Sequence, residues 1–202
     1  MNRRTKIIVL GSMLVLFLGI GFIVKGTSEG ILLDIKVMDY IHSGTNERLL
    51  GVMKFISFIG SEIFLIPAIG IAVLYNLIKK KRYIPKLLVL STLGSYVLNF
   101  LLKEFFQRQR PFDYFLVNQG GLSYPSGHSM VTVTLYSTIA FLLAKKTENI
   151  WRKRFIYLLS FVIICLMGIS RLYLGVHWPT DVLGGYLMGY IFYSILTTAV
   201  KE

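Results

Sequence analysis

The chain of 202 residues has one cysteine, Cys165, so no internal disulfide framework can staple it. Cys165 lies in an apolar run and reads as a space-filling side chain. Charge is also scarce. Only 16% of residues are charged, ten of them acidic, against about 25% charged in ordinary soluble domains. Hydrophobic residues reach 54%, so intrinsic disorder, which needs low hydrophobicity and high charge, is excluded. There is no internal repeat, no low-complexity tract and no soluble second unit. Residues 1–202 read as a single integral membrane domain.

What the sequence has instead is six apolar runs, at about residues 7–24, 62–78, 83–102, 126–144, 155–173 and 182–200. A spanning helix needs about 20 residues. No Lys, Arg, Asp or Glu falls in the middle of any run, where it would cost roughly 2.5–3.5 kcal/mol on insertion. The expected fold is all-α, a bundle of six transmembrane helices. The first run follows Arg3, Arg4 and Lys6, as a cleaved signal would. However, it is longer than a signal core, and Lys25-Gly26-Thr27-Ser28 lacks a small-x-small cleavage site, so a retained span is expected.

The net charge of +12 would suit a nucleic-acid binder, but its placement does not. The N-terminus, residues 79–86, residues 145–154 and the C-terminus hold 14 of the 22 basic residues and only Glu148 and Glu202 among the acids. The other loops hold equal numbers of both signs. The excess of Lys and Arg marks the cytoplasmic side. Both termini are expected there, in a plasma membrane, with the loops after spans one, three and five outside. The surplus can also rest against anionic headgroups. Between spans one and two, Leu32, Ile35 and Met38, then Leu49, Met53 and Ile56, recur at helical spacing around a turn at Gly44-Thr45-Asn46. Residues 27–61 are therefore expected as two short interfacial helices, serving either as a spacer or as a wall beside an outward site.

The polar residues that a membrane does not require collect in the two outer loops after spans three and five. Lys103 ends span three and Arg110-Pro111 follows it. Pro125-Ser126-Gly127-His128 opens span four, Ser170-Arg171 closes span five, and His177 and Asp181 open span six. Ionisable groups at membrane depth are expensive and usually functional. On a helix, His177 and Asp181 at i,i+4 are neighbours. The carboxylate can then hold one ring nitrogen's proton and leave the other nitrogen nucleophilic. Ser126-Gly127-His128 supplies a helix N-terminus whose free N–H groups bind phosphate, and Gly127 permits close backbone approach. Lys103, Arg110 and Arg171 add three cations, of which Arg grips phosphate oxygens in bidentate fashion. This combination suits phosphoryl transfer. A Zn²⁺ site of His128, His177 and Asp181 is possible by ligand type, but the cations disfavour it.

Three motifs stand complete and in order: Lys103-(six residues)-Arg110-Pro111, Pro125-Ser126-Gly127-His128, and Ser170-Arg171-(five residues)-His177-(three residues)-Asp181. Together they resemble the signatures of the type 2 phosphatidic acid phosphatase family, especially its small bacterial six-span members. The resemblance covers nearly the whole chain. It implies that His177 attacks phosphorus to give a phosphohistidine, that Asp181 orients His177, and that His128 protonates the leaving group and later helps to activate water. It further implies that Lys103, Arg110, Ser126, Gly127 and Arg171 hold the phosphate, and that neither metal nor cofactor is used. The implied substrate is a lipid monophosphate or diphosphate: undecaprenyl diphosphate, phosphatidylglycerophosphate or phosphatidic acid. The competing readings are a non-catalytic phospholipid-binding or flipping protein and a peroxidase using bound vanadate, whose relatives are typically soluble.

Outside the motifs, Arg108 reads as a headgroup anchor, and Trp178, Tyr114 and Tyr124 as interfacial aromatics. Asp113 and Glu104 read as loop charges and His42 as a surface residue. Gly185-(three residues)-Gly189 reads as packing within the bundle, the alternative being a dimer face.

Overall fold

A computed structural model describes residues 2–200; Lys201 and Glu202, which enter the charge count above, lie outside that range. Long apolar stretches must satisfy their backbone internally in lipid, and helices do so. The chain accordingly runs through α1 (Arg3–Ile23), α2 (Leu32–His42), α3 (Glu47–Ile59), α4 (Glu62–Ile78), α5 (Tyr83–Val89), α6 (Ser95–Phe106), α7 (Gly127–Ala144), α8 (Ile150–Tyr173) and α9 (Pro179–Ala199), with no strand among the described residues. Helix α5 passes into α6 through a π turn at Leu90–Gly94, where Ser91 and Thr92 both donate hydroxyl hydrogen bonds to the Leu88 carbonyl. Among the described residues that continuous run, with α1, α7, α8 and α9, makes five helices long and apolar enough to cross a membrane, or up to six when α3 and α4, bent by 42° at their junction, are counted as one span; α4 alone, on the expected second run, is not among the five.

Several helices outrun their apolar cores. Helix α8 starts at Ile150, not near 155, because Asn149 caps it by accepting from the N–H groups of Trp151 and Arg152. The charged first turn then stays helical beyond the hydrophobic stretch. Helix α9 starts at Pro179, whose fixed φ suits a first helical position.

Helices α7 and α9 form the centre. A Cβ on Gly185 would lie 2.7 Å from the Ser126 carbonyl oxygen, and one on Gly189 would lie 2.6 Å from that of Met130. These two glycines therefore seat α9 directly on the backbone of α7, as small residues do between membrane helices. Thr134 adds a hydroxyl hydrogen bond to the Gly189 carbonyl at 3.1 Å. The close approach brings the N-termini of α7 and α9 together, and so places residues 126–128 beside residue 181.

The segment before span two is built as two short helices joined by a turn at residues 43–46, but it does more than lie in the interface. Met38 and Asp34 of α2 are both fully buried. Tyr124 is also fully buried, not interfacial: its ring stacks on Phe17 and its hydroxyl donates to the Phe17 carbonyl at 2.7 Å.

Candidate active site

The site forms where the end of α6, the loop 107–126, the N-terminus of α7, the end of α8 and the start of α9 meet. Helix α6 stops at Gln107, whose positive φ turns the chain outward. Lys103, one turn earlier, donates from Nζ to the Leu122 carbonyl at 2.6 Å. Arg110 is held by backbone acceptors: Nε donates to the carbonyls of Gly120 (3.0 Å) and Gly121 (2.9 Å), and Nη1 to that of Val176 (2.7 Å). After α8, Gly175 reverses the chain at φ +71°, with the Tyr114 carbonyl only 1.8 Å from where a Cβ would stand. No L side chain fits there, and the reversal returns His177 to the bundle.

His177 is almost fully buried. Its Nε2 lies 3.1 Å from Arg110 Nη1 and its Nδ1 lies 3.4 Å from Asp181 Oδ2. A guanidinium has donors only, so Nε2 must present its lone pair and the proton resides on Nδ1, facing the carboxylate. Burial, then the charges of Arg110, Lys103, Arg171 and His128, hold the His177 pKa well below the usual imidazole value. The ring is thus neutral at pH 7. Arg110, itself pulled down to about 10 by burial against the favourable charge of Asp181, remains cationic.

His177 and Asp181 meet by a route other than the i,i+4 helical spacing. Residue 177 precedes the helix, and Asp181 is the third residue of α9. Its Oδ2 reaches back to accept the Trp178 N–H at 2.8 Å, which is the carboxylate half of a capping box. Ser123 Oγ donates to the same oxygen and stands 3.4 Å from His177 Nδ1.

A cavity of about 480 Å³ opens in front of His177, and Lys103, Arg110, Gly127, His128 and Arg171 line it with His177. Of the eight sequence-proposed residues, six therefore share one chamber. Asp181 stands behind His177, with no exposure. Ser126 does not reach the chamber: its N–H donates to the Asp181 carbonyl at 2.9 Å and its hydroxyl accepts from Ser129, as a helix cap. The N–H groups of Gly127 and His128, first in α7, lack intrahelical acceptors, and both residues line the chamber. A Cβ at Gly127 would come within 2.9 Å of Asn99 Oδ1. Arg171 donates to Ser57 Oγ of α3 and, at 3.0 Å, to Gln119 Oε1. Among the described residues no group of three or more His, Cys, Asp or Glu side chains is placed to hold a metal ion.

Two further expectations are corrected. Arg108 is no headgroup anchor: it is fully buried and forms ion pairs at 2.7 Å with both Asp34 and Asp181. Trp178 is 5% exposed, with the Arg108 guanidinium 5.5 Å from its ring centre. Sequence reasoning missed Asp34, Ser57, Gln119, Ser123 and Thr180. Only Asp34 left a trace there, as a carboxylate four residues before Met38 on the apolar face of α2.

Comparison with known proteins agrees with the architecture. A family model described as the PAP2 superfamily matches residues 85–202. Phosphatidylglycerophosphatase B of Bacillus subtilis is 38% identical over 146 residues, covering 72% of each chain. Undecaprenyl-diphosphatase of Sulfolobus acidocaldarius is 31% identical over 187 residues, 88% of this chain and 84% of the relative. The crystal structure of a transmembrane PAP2 type phosphatidylglycerolphosphate phosphatase from Bacillus subtilis superposes with a TM-score of 0.85 at 32% identity, covering 94% of both chains. With its all-helical membrane bundle and this degree of similarity, the chain belongs to the PAP2 superfamily.

Proposed function

We propose that the protein is a lipid phosphatase that removes the terminal phosphate of a lipid monophosphate or diphosphate through a phosphohistidine at His177. The observation that carries this reading is the pairing of Arg110 Nη1 with His177 Nε2 at 3.1 Å, which keeps Nε2 unprotonated beside a cationic chamber; its one lone pair becomes free to attack when substrate phosphate takes over the guanidinium. A protein that only binds or flips phospholipid needs the cations, but not a histidine whose tautomer is set from both sides.

In the first step, Nε2 attacks phosphorus and the bond from phosphorus to the lipid oxygen breaks. The leaving oxygen takes a proton from His128. Asp181 stabilises the imidazolium that the new P–N bond creates. Lys103, Arg110, Arg171 and the N–H groups at the α7 N-terminus meet the charge on the equatorial oxygens. In the second step, water gives a proton to His128 and attacks phosphorus. The P–N bond breaks, restoring neutral His177 and releasing inorganic phosphate. No metal enters either step, since three cations already occupy the place where one would act, and no other cofactor is needed.

Phe58 and Ile63, exposed at the α3–α4 bend, line the same chamber. A lipid tail can lie along this bilayer-facing side while its phosphate reaches His177. The names of the relatives suggest phosphatidylglycerophosphate and undecaprenyl diphosphate as substrates, with phosphatidic acid a third. The charge distribution supports a plasma-membrane orientation with cytoplasmic termini and an outward site.

The test is phosphate release by detergent-solubilised protein in EDTA, side by side on the three lipids. Release from at least one lipid, lost in His177→Ala, is expected. Binding without release by a folded protein would overturn the proposal in favour of a lipid-binding role.

A further inference from the structure

The mechanism above uses Asp181 as the partner of His177 but leaves unexplained why a second buried carboxylate stands behind it. Asp34 belongs to α2, outside the family-matched region of residues 85–202. It has no exposed surface, and apart from the Ile31 N–H, which its Oδ2 accepts at 3.4 Å to cap α2, its hydrogen bonds go to Thr180 and Arg108 at the start of α9. Its Oδ1 accepts the Thr180 N–H at 2.9 Å, and its Oδ2 accepts from Thr180 Oγ1 at 2.8 Å and from Arg108 Nη2 at 2.7 Å. Arg108 is equally buried and donates from Nη1 to both Asp181 Oδ1 and Thr180 Oγ1, each at 2.7 Å. One guanidinium thus bridges two carboxylates at the helix N-terminus that presents His177.

Burying three charges costs more than a hydrophobic replacement would, and removal of one partner leaves an uncompensated charge. Such a network is therefore weak evidence for stability alone. Its geometry does something specific. Arg108 occupies Oδ1 of Asp181, which turns Oδ2 toward His177 Nδ1, Ser123 and the Trp178 N–H. Asp34 in turn fixes Arg108, whose Nε has no hydrogen-bond partner among the described residues, and it accepts the Thr180 N–H within the first turn of α9. Trp178 closes the arrangement: a Cβ on Gly30, just before α2, would lie 2.6 Å from its ring.

We infer that Asp34 and Arg108 are positioning residues that act on the nucleophile through Asp181, so that the outer helix α2 is part of the phosphoryl-transfer machinery and not a spacer. This rests on the phosphatase reading above. The segment has work that a wall or lid would not: it sets the plane and the charge of the carboxylate that sets the tautomer of His177. Neither residue touches substrate, so neither should alter its binding.

The experiment is a double-mutant cycle of Asp34→Asn and Asp181→Asn, assayed for phosphate release from dioctanoyl phosphatidic acid in detergent micelles. Rates are normalised to the folded, monodisperse fraction. Outer partners that orient metal-ligating histidines are worth about 10–100-fold in activity, and the same scale is expected for an outer partner of the carboxylate that orients His177. Asp34→Asn should lower kcat by about that factor with KM changed less than about twofold, as expected for an effect on the chemical step alone. In the Asp181→Asn background the same change should cost little, because the residue it acts through is already gone. Arg108→Lys, which keeps the charge but cannot bridge both carboxylates, should behave like Asp34→Asn. It serves as the second test if Asp34→Asn does not fold.

A wild-type kcat retained in Asp34→Asn and Arg108→Lys would overturn the inference. So would equal fold-losses in both Asp181 backgrounds, which would describe a general packing defect. A wild-type protein that releases no phosphate from any of the three lipids would overturn the phosphatase reading itself, and the positioning role with it. That outcome is distinct from an active wild type with an indifferent Asp34.

Discussion

Asp181→Asn is the most discriminating perturbation, because every partner of this carboxylate is a donor. Arg108 Nη1 donates to Oδ1 at 2.7 Å, the Trp178 N–H donates to Oδ2 at 2.8 Å, Ser123 donates to Oδ2, and the proton of His177 Nδ1 faces Oδ2 across 3.4 Å. An amide offers one acceptor and one NH₂. If its oxygen stays with Arg108, its NH₂ opposes the Trp178 N–H and pushes His177 to accept at Nδ1. The imidazole proton then moves to Nε2, against Arg110 Nη1 at 3.1 Å, and the attacking lone pair is lost. If the amide turns over, its NH₂ meets the buried guanidinium instead. Either orientation leaves a buried donor unmet, at about 1–3 kcal/mol. Loss of the correct tautomer in an oriented-base system costs about 10⁴ in kcat. The expected result is a folded protein of lower Tm, with single-turnover phosphate release slowed about 10³–10⁴-fold. The assay is release of labelled phosphate by size-excluded, solubilised enzyme, with Tm measured on the same sample. Turnover within about tenfold of wild type would refute the tautomer argument.

Three further outcomes are expected. Since burial and the surrounding cations depress the His177 pKa, the ring stays neutral as pH falls through about 6.5. The loss of phosphoenzyme formation that protonation of His177 causes should therefore lie below that value, and a midpoint above it in a pH profile on an aryl phosphate would contradict the assignment. His128→Ala should damage hydrolysis of lipid alkyl phosphates far more than that of an aryl phosphate, whose leaving group needs little proton donation, when phosphoenzyme formation is rate-limiting. Equal losses would leave His128 as a phosphate ligand only. A cysteine replacing Gly120, an exposed loop residue, in a Cys165→Ala background should react with an impermeant thiol reagent in intact cells, whereas labelling only after lysis would reverse the orientation.

The sequence by itself determined the helical membrane class and the rough position of each span, because lipid forces apolar runs of about 20 residues into internally bonded helices. It also singled out Lys103, Arg110, His128, Arg171 and His177, because charge and imidazole at membrane depth are too costly to be incidental, and Gly127, because a glycine at a helix N-terminus permits close backbone approach. Those signals are local or periodic. Tertiary structure decided the rest. Arg108 and Trp178 look like interfacial anchors until α2, more than seventy positions away in sequence from Arg108, supplies Asp34 and closes over them. Tyr124 looks interfacial until Phe17 stacks on it. Ser126 looks like a phosphate ligand until the approach of α9 engages its N–H with the Asp181 carbonyl. The choice of Nε2 as the lone-pair nitrogen needs Arg110, fixed by carbonyls of three separate residues. In each case the deciding partner is remote in sequence. Whether a polar group faces lipid headgroups or a buried partner depends on packing, which composition and spacing do not encode.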